Sequence, residues 1–140
     1  MPVIAVVGMA GSGKSGMIKE YVAQGWKKYD DIFVDNYRQV RDARAMSEAG
    51  EKVIISDVEF CDPVRRFEIE QLGIKVDEWI FFENNPWQCA KNCLYRYLYE
   101  KDRRIEEELR AIRRLTRIYG SPDNPRPVVC CPDPPNGQLR

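Results

Sequence analysis

The stretch Gly8-Met9-Ala10-Gly11-Ser12-Gly13-Lys14-Ser15 constrains this chain most, because it joins two segments of different periodicity. Ahead of it, Val3-Ile4-Ala5-Val6-Val7 is a short apolar run rich in β-branched residues, the pattern of a strand buried on both faces. Behind it, Met17, Ile18, Tyr21 and Val22 recur at helical spacing. A strand, a glycine-rich turn and a helix N-terminus therefore follow one another. Only a sheet with helices packed on it accommodates that order simply.

The eight residues match G-x-x-x-x-G-K-[ST], a loop whose backbone amides cradle phosphates. Glycines at 8, 11 and 13 permit angles that let successive N–H groups point at one anion. The helix beginning near Lys14 adds unsatisfied donors and the positive end of its dipole. The expected nucleotide-binding residues are Gly8, Met9, Ala10, Gly11, Ser12, Gly13, Lys14, Ser15 and Gly16. Within this set Lys14 is expected to reach the β- and γ-phosphates, and the Ser15 hydroxyl to ligate Mg²⁺. ATP and Mg²⁺ are the implied cofactors. A chance glycine turn would need neither the strand before it nor the helix after it.

At 140 residues the chain reads as one domain, near the lower size limit for an enzyme built on such a loop. It divides into a domain over 1–131 and a flexible, proline-rich tail over 132–140. Lys plus Arg and Asp plus Glu both number 22, which excludes a global basic field and confines any polyanion site to a local patch. No apolar run reaches membrane-spanning length and the N-terminus lacks a signal-peptide pattern, so a cytoplasmic location is expected. Cys61, Cys89, Cys93, Cys130 and Cys131 are odd in number, show no C-x₂-C spacing and have no histidine to join them. Buried, reduced thiols are expected rather than a metal site.

Along the chain, 32–35 (Ile-Phe-Val-Asp) reads as a second strand, and 38–49 as an amphipathic helix closed by Gly50. Residues 53–56 form a third strand ending at Asp57, and Asp62-Pro63 opens a helix as N-cap and first residue. Residues 76–83 make a fourth strand. A long helix starts at Pro86, breaks near 101–104 and resumes over 105–119; Pro127 to Cys130 is the one place left for a short last strand. Strands alternating with helices predict an α/β fold with a parallel sheet of four to five strands and right-handed crossovers. Ligands of such sheets sit beyond the carboxyl ends of the strands, which gathers Gly8–Ser15, Asp35–Arg38 and Asp57–Glu59 around one crevice.

Those pieces, G-x-x-x-x-G-K-S, Asp35-Asn36-Tyr37-Arg38-Gln39, Val53-Ile54-Ile55-Ser56-Asp57, Asp62-Pro63-Val64-Arg65-Arg66 and Pro86-Trp87, together resemble the kinase domain of phage-type 5′-polynucleotide kinase. The resemblance covers most of the first 100 residues in order. It implies a three-layer phosphate-loop kinase fold with a helical lid. It also implies Asp35 as general base toward a 5′-hydroxyl, Arg38 as a holder of the acceptor's phosphate, and Asp57 as a supporting carboxylate. Residues 40–52 are all that separate the Asp35–Gln39 motif from strand three, where that family carries a longer acceptor-side insertion, and Val58 stands where it has serine or threonine.

Each role also has its own chemistry. A carboxylate opposite the loop accepts a hydroxyl proton, a guanidinium fork suits a phosphate, and Asp57 beside the loop can hold Mg²⁺ or its waters. The arginine-rich stretch 96–117 is the expected lid, with Arg103 and Arg104 at its break as the expected catalytic cations. Glu106–Arg110 reads as an ordinary helical ion pair. Tyr37, Trp79 and Trp87 are candidates to stack a base, although core packing is the commoner role of such residues. The expected activity is ATP-dependent transfer of a phosphoryl group to a hydroxyl on a polynucleotide 5′-end or a nucleoside-like acceptor. Alternatives are a kinase for another small molecule and a nucleotide-binding switch or assembly ATPase.

Overall fold

The computed structural model describes residues 2–130; Met1, Cys131 and the tail at 132–140 lie outside the described residues. Four strands form one all-parallel sheet: β1 (Val3–Val7), β2 (Lys27–Tyr29), β3 (Val53–Ser56) and β4 (Glu78–Phe81), in the spatial order β2-β3-β1-β4. Five α-helices join them among the described residues: α1 (Lys14–Ala23), α2 (Arg38–Glu48), α3 (Pro63–Gln71), α4 (Pro86–Tyr99) and α5 (Ile105–Leu115). No described helix is long and apolar enough to cross a membrane.

Side chains alternate across the two central strands, so each strand feeds two cores. Val3, Ala5 and Val7 with Val53 and Ile55 face a large core shared with Val40 and Ala43 of α2, Ile69 of α3, Cys89 and Cys93 of α4, and Ile112 and Leu115 of α5. Ile4, Val6 and Ile54 face the other way, onto Met17 and Ile18 of α1. Register pins this arrangement: Val3 pairs with Val53 and Val6 with Ser56, while Ile4 pairs with Glu78 and Val7 with Phe81. The carboxyl ends of β1 and β3 therefore stop level. The glycine loop after β1 and Asp57 after β3 emerge side by side.

Local signals explain the helix ends. The Asp62 carboxylate accepts the Val64 amide, with Pro63 as first residue of α3, and the Asn85 side chain accepts the Gln88 amide ahead of Pro86 in α4. The expected break between the last two helices is present: α4 stops at Tyr99 and α5 opens at Ile105.

Two expectations are corrected. The second strand is Lys27–Tyr29, whereas residues 31–37 are turns. Lys27-Lys28-Tyr29 lies on the open edge of the sheet, paired only with β3, and edge strands carry charge where buried ones carry branched apolar residues. The apolar residues after it serve the core without entering the sheet. Ile32 is fully buried, which stabilises by about 1.5–3 kcal/mol, and Phe33 meets the Phe60 ring edge-on at 5.5 Å. The second correction is at the C-terminal end: Pro127 to Cys130 form no strand. A single bridge joins Arg126 to Phe82, and the chain then crosses the glycine loop.

Candidate active site

Beyond the carboxyl ends of β1, β2 and β3 lies a polar cavity of about 140 Å³. Its floor is the loop from Ala10 to Ser15; Asp30 and Asp31 wall one side, and Arg96, Arg104 and Glu108 the other. The volume compares with cavities that take a benzene-sized guest, so it has room for phosphate groups but not for a whole nucleotide.

The loop is held from behind. Gly11 and Gly13 have φ of 83° and 109°, the left-handed region that glycine occupies without strain. A Cβ on Gly11 would collide with the Cys89 carbonyl oxygen, and one on Gly13 would lie 2.5 Å from a Val129 methyl. The buried Asn92 amide donates to Gly11 O at 2.8 Å and also to Val129 O, while Val129 N donates to Ser12 O at 3.2 Å. With its carbonyls thus engaged, the loop turns its donors the other way. The amides of Gly11, Gly13, Lys14 and Ser15 donate to no acceptor among the described residues. A run of such amides at a helix start is an anion cradle.

Lys14 bends back over this cradle, its Nζ donating to Gly8 O at 2.7 Å and Met9 O at 3.0 Å. An ammonium has three donors, which leaves one for the cavity. Burial pulls its pKa below the ordinary lysine range, with Asp30 and Asp31 among the charges acting in the opposite direction. The same desolvation pushes the thiols of Cys61 and Cys89 up to about 12, so both stay neutral beside Lys14. Among the described residues no group of three or more His, Cys, Asp or Glu side chains is arranged to hold a metal ion.

The other sequence-based site residues separate into two groups. Lys14, Ser15, Arg104 and most of the loop border the cavity. Asp35, Arg38, Asp57 and Arg103 do not. Asp35 follows β2 by several residues, and its Oδ1 accepts the Gln39 amide at 3.1 Å, tying down the start of α2; it makes no other side-chain hydrogen bond among the described residues. Arg38, next to it on the first turn of α2, is exposed. Asp57 is buried, and its two oxygens accept Glu59 N at 2.9 Å and Phe33 N at 3.1 Å. Burial raises its pKa while those two amides oppose the shift, so it acts as a tie between the end of β3 and the turn after β2. Arg103 lies in a separate surface groove with Tyr97, Leu98 and Lys101.

Sequence reasoning missed Asp30, Asp31 and Glu108 as site residues, and counted Arg96 only as one arginine of the expected lid. Asp30 Oδ1 accepts the Ser56 hydroxyl at 2.5 Å, and Asp31 is exposed with φ of 51°. Had Lys27-Lys28-Tyr29 been read as an edge strand, Asp30-Asp31 would have followed as its tip. Of the aromatic candidates, Trp79 packs between Phe60 and Phe81, while Trp87 and Tyr37 are exposed.

The fold and site define an α/β protein with a parallel sheet and a polar, cation-bearing cavity at the strand tips. No protein-family model matches the chain, and no curated protein matches it in sequence.

Proposed function

We propose that this chain is a phosphate-loop phosphotransferase that moves the γ-phosphate of ATP to a hydroxyl, with a polynucleotide 5′-end or a nucleoside-like molecule as acceptor. One observation carries the reading: four unengaged loop amides, the Lys14 ammonium and two arginines converge on a cavity of phosphate-chain size. In such transfers the protein contributes position and charge and makes no bond of its own.

Gly11, Gly13 and Lys14 bind the phosphates through their amides, and Lys14 turns its remaining donor onto the β- and γ-oxygens. Arg96 and Arg104 cover them from the helical side. Bound Mg·ATP supplies the transferable phosphoryl group and part of the charge neutralisation. The Ser15 hydroxyl, with Asp30 and Asp31 across the cavity, fits the magnesium side, since Mg²⁺ keeps several waters and takes few protein ligands. The acceptor lies at the rim. There Asp35, with Oδ2 uncommitted, accepts the hydroxyl proton, and Arg38, three residues on at the start of α2, holds the acceptor's anionic group. Asp57 keeps the rim in place through Phe33 N.

The test is a transfer screen with γ-labelled ATP and Mg²⁺ over 5′-hydroxyl oligonucleotides, nucleosides and sugars, beside calorimetry of Mg·ATP binding. Labelled product on one acceptor class is expected. ATP turnover with no labelled acceptor would make the chain an ATPase, and absence of Mg·ATP binding at millimolar concentration would end the reading altogether.

A further inference from the structure

The lid side of the cavity holds an ion pair that is left half made. Arg96 of α4 donates through one terminal nitrogen to Glu108 Oε2 of α5 at 2.9 Å, and from that same nitrogen to the Cys93 sulfur at 3.3 Å. Arg96 Nε and Glu108 Oε1 are both buried with no hydrogen-bond partner, and both side chains line the cavity. A guanidinium and a carboxylate normally close two parallel bonds. Here each keeps one atom in reserve. A buried polar atom without a partner costs about 1–3 kcal/mol, so the single bond leaves the pair short of its full strength. The Arg96 side chain is nevertheless 27% exposed and borders the cavity. An anion there competes with Glu108 for the guanidinium and repels the carboxylate it replaces.

We propose that Glu108 is a latch: it holds Arg96 across α4 and α5 while the cavity is empty, and a polyphosphate entering the cavity takes Arg96 away from it. This deepens the phosphotransferase reading and rests on it. Arg96, rather than Arg103, is then the lid cation that meets the phosphates, and Glu108 sets how readily it does so. The geometry supplies the exchange without large motion, since the arginine already lines the space the anion would fill. Arg104 is held differently, by Asp102 on the exposed turn between the helices, and belongs to neither half of the latch.

The probe is inorganic tripolyphosphate without metal, titrated calorimetrically into the full chain at two salt concentrations, with thermal unfolding of each variant as a control for folding. Relative to wild type, Glu108→Gln should bind about tenfold tighter and Arg96→Met about tenfold weaker. In the Arg96→Met background, Glu108→Gln should change nothing, because the latch has no arginine to release. Equal tightening in both backgrounds would show a distant charge effect and overturn the latch. Tripolyphosphate binding that neither substitution alters would overturn it too, while leaving the cavity as a phosphate site. Binding by no variant would refute the phosphate reading itself and the latch with it. A measurement free of substitutions is the Arg96 Nε–H resonance of the wild-type chain: it should shift on saturation, and an unmoved signal would also overturn the proposal.

Discussion

The loop at 8–15 and the turns at 30–38 flank the same end of the sheet, yet they are built on opposite principles. The loop leaves its difficult angles to glycine and is braced from behind by the Cys89 carbonyl, Asn92 and the backbone of Val129. The turns put Asp31, Asn36 and Tyr37 at φ between 51° and 65°, where side-chain-bearing residues are strained. Three bonds to the end of β3 hold them: the Ser56 hydroxyl to Asp30 Oδ1, Ile32 N to Ser56 O and Phe33 N to Asp57. Val34 is 76% exposed in their midst. On the proposed reading this contrast is functional. Phosphates have one shape and reward a fixed cradle, whereas a hydroxyl acceptor is met by a surface with slack.

If the cradle is the fixed half, its cation should carry the largest single effect. Lys14→Met should lower transfer by about 10³-fold, as expected for the loss of a charge aimed at the transferring group, with thermal stability unchanged or raised. A stability gain is reasonable because burial already disfavours the charged amine. Single-turnover transfer beside a melting curve reads both, and loss of fold together with activity would show Lys14 to be structural.

The turns are tested by comparing two of their carboxylates, one at the rim and one on the cavity wall. Asp35→Asn should cost about 10²-fold or more in transfer with ATP affinity nearly unchanged. Asp31→Asn, altering a cavity wall, should instead weaken Mg·ATP. If the two substitutions exchange phenotypes, Asp31 is the proton acceptor and the rim at Asp35 is no more than the tether of α2. Either outcome is visible in the split between transfer rate and nucleotide affinity.

The same contrast explains what could be read from the chain. The loop was legible because its chemistry is local: glycines, a lysine and a serine at fixed spacing between an apolar run and a helical one. The central strands β1 and β3 were legible because burial on both faces demands continuous branched residues. Edge strand β2 was not, since Lys27-Lys28-Tyr29 answers to one neighbour and to water. Ile32 and Phe33 imitate a strand while packing as turn residues. Arg96 and Glu108 stand out in no pattern, because their relation spans two helices. The Val129 crossing of the loop is likewise a long-range contact.

Bracing can be removed without touching the cavity. Asn92→Ala takes away the amide shared by Gly11 O and Val129 O and leaves those carbonyls unsatisfied under α4. A cost of about 1–3 kcal/mol in urea unfolding is expected. Amide exchange should accelerate at Gly11, Ser12 and Val129, and far less over residues 31–37. Uniform acceleration across both regions would mean that the loop and the turns open as one unit, and the distinction between them would fall.

The smallest expected effect concerns how the turns lean on Asp57. Burial raises the pKa of that carboxyl above its ordinary 3.8, the amides of Glu59 and Phe33 resist, and the charges of Asp31 and Glu59 push it further up. A carboxyl that holds its proton more tightly when folded gives the native state more bound protons than the unfolded chain. Its contribution to stability is therefore complete below the unfolded pKa and declines as pH rises through the interval up to the folded value. Asp31→Asn deletes one of the raising charges, so the interval narrows and the decline above about pH 4 becomes shallower. Urea unfolding of wild type and variant between pH 4 and 7 should show curves that converge in acid and separate toward neutrality, the variant being the more stable by a few tenths of a kcal/mol. Parallel curves over the whole range would mean that the turn does not press its charge on Asp57, and that its strain lies in the backbone alone.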